Sequence, residues 1–212
     1  MNVIPVINCP DRACVENIFA RAKIFLHAGD WIHLDVTDGI FSTHKTWHDP
    51  VAWAEIGNLF NLEVHLMVAH PENYVMSWID AGAKRIIVHV EAIVPESARK
   101  ILTACREKKA EAMLASNPDT SIEAIESYIG LFSEFLVLAV HPGPAGQLFN
   151  PSVIEKIKIL EQEGAIIIEV DGGMNPLTAK LVKDAGVNVV ASGAYIFNSS
   201  DPEKAYEELR NI

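Results

Sequence analysis

Short runs of β-branched and aliphatic residues alternate along the whole chain with longer stretches whose apolar positions recur every three or four residues. Near-continuous apolar runs of this length suit parallel strands buried on both faces. They occur at residues 3–7, 31–35, 63–68, 85–89, 112–116, 135–140, 166–170 and 187–191. The stretches between and after them predict helices over 14–28, 50–57, 71–81, 95–108, 121–129, 151–163, 176–185 and 202–209. Asn150-Pro151, Asn175-Pro176 and Asp201-Pro202 each place a capping residue before a proline suited to the first helical turn. Glycines at 29, 82, 164 and 186 supply helix stops. Eight strands, each followed by a helix, predict a single α/β domain over residues 1–212, a (β/α)8 barrel. A doubly wound open sheet would carry a glycine-rich turn after its first strand, and Ile7-Asn8-Cys9-Pro10-Asp11 carries none.

Half of the 212 residues are hydrophobic, enough for a large core. No apolar run reaches the roughly 20 residues of a membrane span. The first residues show no basic leader region, so a cytoplasmic location is expected. The net charge of −11 and the lack of a basic stripe exclude nucleic acid and an anionic membrane surface as partners. A small phosphorylated substrate stays compatible with that charge, because backbone N–H groups can hold an anion without lysine or arginine. Cys9, Cys14 and Cys105 are odd in number and lack a Cys-x-x-Cys spacing. They read as reduced thiols, with no disulfide framework expected.

Against this background four polar residues stand out. His33 and Asp35 are two apart and so share a face at the C-terminal end of the second strand, where barrel active sites lie. His65 occupies a comparable place in the third strand, and Asp171 follows the seventh, directly before Gly172-Gly173. Singly, each has an ordinary explanation as a hydrogen-bonded interior group or a turn residue. Together they form a candidate site for one divalent metal ion, Zn²⁺, Fe²⁺, Mn²⁺ or Co²⁺, with an acid/base pair built in. Gly143 and Gly146 follow the sixth strand, Gly172 and Gly173 the seventh, and Gly193 and Ala194 the eighth. Three successive glycine-bearing strand ends suit a phosphate held by backbone N–H groups.

Over nearly its whole length the sequence resembles the ribulose-phosphate 3-epimerase family. The resemblance rests on His33-Leu34-Asp35-Val36-Thr37-Asp38-Gly39, Val64-His65-Leu66-Met67-Val68 and Ser116-Asn117-Pro118-Asp119-Thr120. It continues through Val140-His141-Pro142-Gly143, Gln147, Glu169-Val170-Asp171-Gly172-Gly173 and Ser192-Gly193-Ala194-Tyr195-Ile196-Phe197. It implies a TIM barrel that interconverts D-ribulose 5-phosphate and D-xylulose 5-phosphate with a divalent metal, on the pentose phosphate or Calvin routes. It further implies His33, Asp35, His65 and Asp171 as metal ligands, with Asp35 and Asp171 also moving protons through a 2,3-enediolate. Asn8, His65, Met67, Gly143, Gly146, Gly172, Gly173, Gly193 and Ala194 are then expected at the substrate, and a homo-oligomer is expected as the assembly.

The departures fall around the substrate. The family's first strand usually reads Pro-Ser-Ile-Leu; here it is Pro5-Val6-Ile7-Asn8, and valine cannot donate a hydrogen bond. Asn8 shares the face of Val6 and can offer a polar contact nearer the mouth. The loop after the second strand is remodelled over residues 40–48, and the sixth-strand loop carries His141 and Pro144-Ala145 in place of the usual Glu and Phe-Gly. An altered pocket around an intact acid/base set admits a second substrate, such as allulose 6-phosphate, or a barrel that binds a sugar phosphate without turnover. Related phosphate-binding barrels that decarboxylate or perform aldol chemistry carry Asp-x-Lys-x-x-Asp, and Thr37 stands where that lysine would be.

Overall fold

The computed structural model describes residues 1–56 and 59–212. Among these, eight parallel strands pair in sequence order and close on themselves. They are β1 (Asn2–Ile7), β2 (Trp31–Thr37), β3 (Asn61–Met67), β4 (Ala83–His89), β5 (Glu111–Ser116), β6 (Glu134–Leu138), β7 (Ile167–Asp171) and β8 (Val189–Ser192). The helices are α1 (Arg12–Ala22), α2 (Pro50–Ile56), α3 (Val75–Asp80), α4 (Pro95–Lys108), α5 (Ile122–Glu126), α6 (Val153–Gln162), α7 (Pro176–Asp184), α8 (Ala194–Phe197) and α9 (Pro202–Arg210). The expected (β/α)8 barrel is the fold observed. No described helix is long and apolar enough to cross a membrane.

Alternation along the strands sorts side chains into two layers. Leu34, Val36, Val64, Leu66, Val88, Val137 and Val170 join the large core between sheet and helices. Their neighbours in sequence face the barrel interior, which is divided. Met67, Ile87, Met113, Ala115, Leu136 and Leu138, from β3 to β6, form a small apolar cluster. His33, Glu63, Arg85 and Glu169 are buried there as a separate set of charged or polar groups.

Several boundaries differ from the sequence expectation. The helix expected from residue 14 to 28 stops at Ala22, and the one expected over 71–81 splits into a 3-10 turn at Pro71–Asn73 and α3. The helix over 121–129 shortens to α5. The Gly57 end of the helix over 50–57 lies outside the described residues. Asn175 and Asp201 do cap α7 and α9, accepting from Leu177 and Thr178 N–H and from Lys204 N–H respectively. Asn150 instead accepts from Ser152 N–H in a local turn, and α6 begins only at Val153. The short helix α8 had no separate signal in the pattern.

The cysteine expectation is also corrected: Cys9 and Cys14 form a disulfide, and Cys105 is free and buried. The pair spans the junction between β1 and α1, where Asp11 accepts from Cys14 N–H and turns the chain sharply. That turn brings the two Cα atoms to 5.6 Å, within disulfide reach.

Candidate active site

The register of β2 and β3 sets Asp35 beside His65 and His33 beside Glu63. That of β6 and β7 sets Leu138 beside Asp171, which faces inward at its strand end. As a result His33, Asp35, His65 and Asp171 converge, with one ligand-type atom from each lying within 4.8 Å of all the others. All four are buried. His33 Nε2 and His65 Nδ1 are each 3.2 Å from Asp35 Oδ1, and His65 Nδ1 is 3.7 Å from Asp171 Oδ2. This buried His/Asp cluster could hold a metal ion: its nitrogen and carboxylate donors suit a borderline divalent cation.

The protonation of the two carboxyls is split by their surroundings. Burial pushes Asp35 up, but the His33 and His65 imidazoles beside it outweigh that and hold the group well below the usual carboxylate range. Asp171 is driven well above that range, by burial first and then by the negative charge of Asp35. The two carboxyls are thus driven in opposite directions by their surroundings. Burial also pushes the His65 imidazole down to about 4, which keeps it neutral.

Beneath this layer lies a second set that the sequence reading passed over. His33 Nδ1 donates to Glu63 Oε1 at 2.7 Å, and Arg85 Nη1 donates to Glu63 Oε2 at 2.6 Å. The Arg85 guanidinium also pairs with Glu111 and lies over the Trp31 ring at 4.4 Å. Glu169 shares this space, its carboxyl pushed up to about 7 by burial and by Glu63. A signal was present: Glu63 and Glu169 each precede a candidate ligand by two residues, the spacing of one interior strand face. His89, Glu91 and Thr46 were likewise missed. Thr46 Oγ1 donates to the Asp35 carbonyl at 2.8 Å and accepts from Thr37 N–H at 2.9 Å, fastening the loop after β2 to the strand that carries Asp35.

Above the carboxylates opens a cavity of about 550 Å³. Asn8, Asp35, Met67, Gly143, Gly146, Asp171, Gly172, Gly173, Gly193 and Ala194 all line it, together with Val6. His33 and His65 are fully buried behind that wall, so His65, expected among the substrate contacts, sits behind Asp35 and Asp171 rather than on the cavity surface. Gly173 has a φ of +68°, and a Cβ there would come within 2.6 Å of Phe149 Cα, so the loops after β6 and β7 touch backbone to backbone. Only glycine permits both the angle and the approach.

A family model described as the ribulose-phosphate 3-epimerase family matches residues 15–197. A protein named ribulose-phosphate 3-epimerase from Chlamydia trachomatis is 37% identical over 205 residues, covering 92% of this chain and 85% of that protein. One of the same name from Bacillus subtilis is 36% identical over 218 residues, covering 99% and 98%. Among solved structures, 3-hexulose-6-phosphate synthase from Salmonella typhimurium superposes with a TM-score of 0.77 at 14% identity, covering 100% of this chain and 97% of that one. That last likeness is one of fold alone.

Proposed function

The chain belongs to the ribulose-phosphate 3-epimerase family, and on that premise we propose that it is a metal-dependent isomerase interconverting D-ribulose 5-phosphate and D-xylulose 5-phosphate. The observation that carries the reading is geometric: Asp35 and Asp171 converge with His33 and His65 in one buried cluster and both line the cavity. Inversion at C3 needs a base on one face of the carbon and an acid on the other. Asp35 removes the C3 proton, and the C–H electron pair moves into the C2 carbonyl to give a 2,3-enediolate. Asp171 delivers its proton to the opposite face of C3, and the reverse reaction exchanges the two roles. Neutral His65 and the His33–Glu63 pair hold the carboxylates in place without competing for the substrate proton. A divalent ion bound by His33, Asp35, His65 and Asp171, of the Zn²⁺, Fe²⁺, Mn²⁺ or Co²⁺ type, supplies Lewis-acid stabilisation of the enediolate charge.

In this reading the substrate phosphate lies against the N–H groups of Gly146, Gly172, Gly173, Gly193 and Ala194, with Gly143, Met67 and Asn8 shaping the remainder of the pocket. The assembly is a cytoplasmic homo-oligomer, which sedimentation checks. Val6 on the cavity wall favours one second reading, 3-epimerisation of a longer ketose phosphate such as allulose 6-phosphate, because valine gives up a hydrogen bond and leaves an apolar surface. Specificity constants for the two sugars, measured on metal-loaded protein, test the assignment. A higher kcat/KM for ribulose 5-phosphate supports it. A preference for allulose 6-phosphate replaces it with the second reading, and no turnover of either leaves a binding barrel.

A further inference from the structure

Behind His65, on the side away from the two carboxylates, lies His89, the last residue of β4. Their Nε2 atoms are 2.8 Å apart, their ring planes within 11° and their centroids 5.0 Å apart. Nitrogens so close with centroids so far apart mean that the rings meet edge to edge in nearly one plane. This is the geometry of an N–H aimed at a lone pair. One proton fits between the two nitrogens, and Glu91 decides which ring owns it. Glu91 Oε2 lies 2.9 Å from His89 Nδ1, while Oε1 accepts from Asn117 N–H at 2.8 Å and from the Thr120 hydroxyl. An ionised carboxylate only accepts. The hydrogen of that contact is therefore on His89 Nδ1, and Nε2 is the acceptor turned toward His65. His65 must then donate from Nε2, which leaves its Nδ1 as a lone pair 3.2 Å from Asp35 Oδ1 and 3.7 Å from Asp171 Oδ2. Two acceptors facing each other in a buried site call for a cation between them. Both imidazoles are fully buried, and the Phe41 ring packs on His89 at 4.8 Å, so water does not reassign the protons.

We propose that Glu91 and His89 are positioning residues that fix the tautomer of His65, so that its Nδ1 presents a lone pair to the divalent ion; this rests on the metal-dependent reading above. Carboxylate-to-histidine relays of this kind orient imidazole ligands in metal sites, and breaking one typically weakens metal binding by about tenfold to a hundredfold.

Zinc affinity, measured by competition with a chromophoric chelator, tests the proposal. His89→Phe removes the acceptor for the His65 Nε2–H and is expected to weaken zinc binding by about tenfold to a hundredfold. His89→Gln keeps an amide oxygen that can accept from the same N–H, and is expected to recover most of that loss. In zinc-loaded wild-type protein, long-range ¹H–¹⁵N spectra are expected to show His89 as the Nδ1–H tautomer, a readout that needs no variant to fold. Unchanged zinc affinity in folded His89→Phe, or His89 protonated on Nε2 in the wild type, overturns the proposal. A wild-type protein that binds neither zinc, manganese nor cobalt overturns the metal-dependent reading beneath it.

Discussion

Asn8 Nδ2 donates to Asp35 Oδ2 at 2.8 Å and also reaches the Gly143 carbonyl at 3.3 Å. Its Oδ1 meets His44 Nε2 at 3.3 Å, so one amide ties Asp35 to the loops after β2 and β6. Hydrogen bonds to charged groups contribute about 1.5–3 kcal/mol. Asn8→Ala is therefore expected to lower kcat/KM by about tenfold to a hundredfold, with Asn8→Asp lower still because it sets a second negative charge on Asp35. Steady-state kinetics check this, and unchanged turnover in Asn8→Ala would show that the contact is incidental.

Gly173 lies at the contact between the β6 and β7 loops. Gly173→Ala combines an unfavourable positive φ with a Cβ inside the Phe149 backbone, and is expected to destabilise the fold by about 2 kcal/mol or more. Gly29 has a φ of +90° but open space around it, so Gly29→Ala carries the conformational cost alone, about 1 kcal/mol. Equal effects of the two substitutions in chemical denaturation would contradict the packing argument.

The Cys9–Cys14 bridge closes a short loop with a sequence separation of 5, for which loop-closure entropy gives about 2 kcal/mol. A reductant is expected to lower the melting temperature by about 4–8 °C and to abolish a linked Cys9–Cys14 peptide in non-reducing mass spectrometry. Cys105, which burial pushes up to about 11, is expected to resist alkylation in the native protein at neutral pH.

Glu91 gives a pH signature. Burial raises its carboxyl, but hydrogen bonds from His89, Thr120 and Asn117 outweigh that and hold it at about 2, against an ordinary value of 4.5. Because the folded pKa is the lower one, its stabilisation is complete above about pH 4.5 and is lost as pH falls toward 2. The stability gap between wild type and Glu91→Gln in urea titrations should therefore be widest near neutrality and close toward pH 2. A gap independent of pH would remove Glu91 from this account.

The barrel was legible because strand and helix periods alternate without interruption, and His33, Asp35, His65 and Asp171 because each sits near a strand end in a run that is otherwise apolar. What escaped depends on register between strands. Val6 pairs with His33, which carries Asn8 to the side of Asp35, a neighbour no local pattern reveals. Glu63, Arg85 and Glu169 lie in runs weighed for hydrophobicity, although their period-two spacing from interior residues was there to be read. The disulfide escaped because its cysteines straddle a loop and a helix start, away from the spacing that marks redox or metal pairs. The proton order across His65, His89 and Glu91 exists only in three dimensions.

The most direct measurement is solvent deuterium incorporation at C3 of the pentulose 5-phosphate by metal-loaded protein in D₂O. The account predicts D-xylulose 5-phosphate with one deuterium at C3, loss of that exchange on adding a chelator, and a fall of about a hundredfold or more in both Asp35→Asn and Asp171→Asn. Protium retained at C3 in the metal-loaded wild type, or wild-type exchange in either variant, would contradict the two-carboxyl epimerase mechanism.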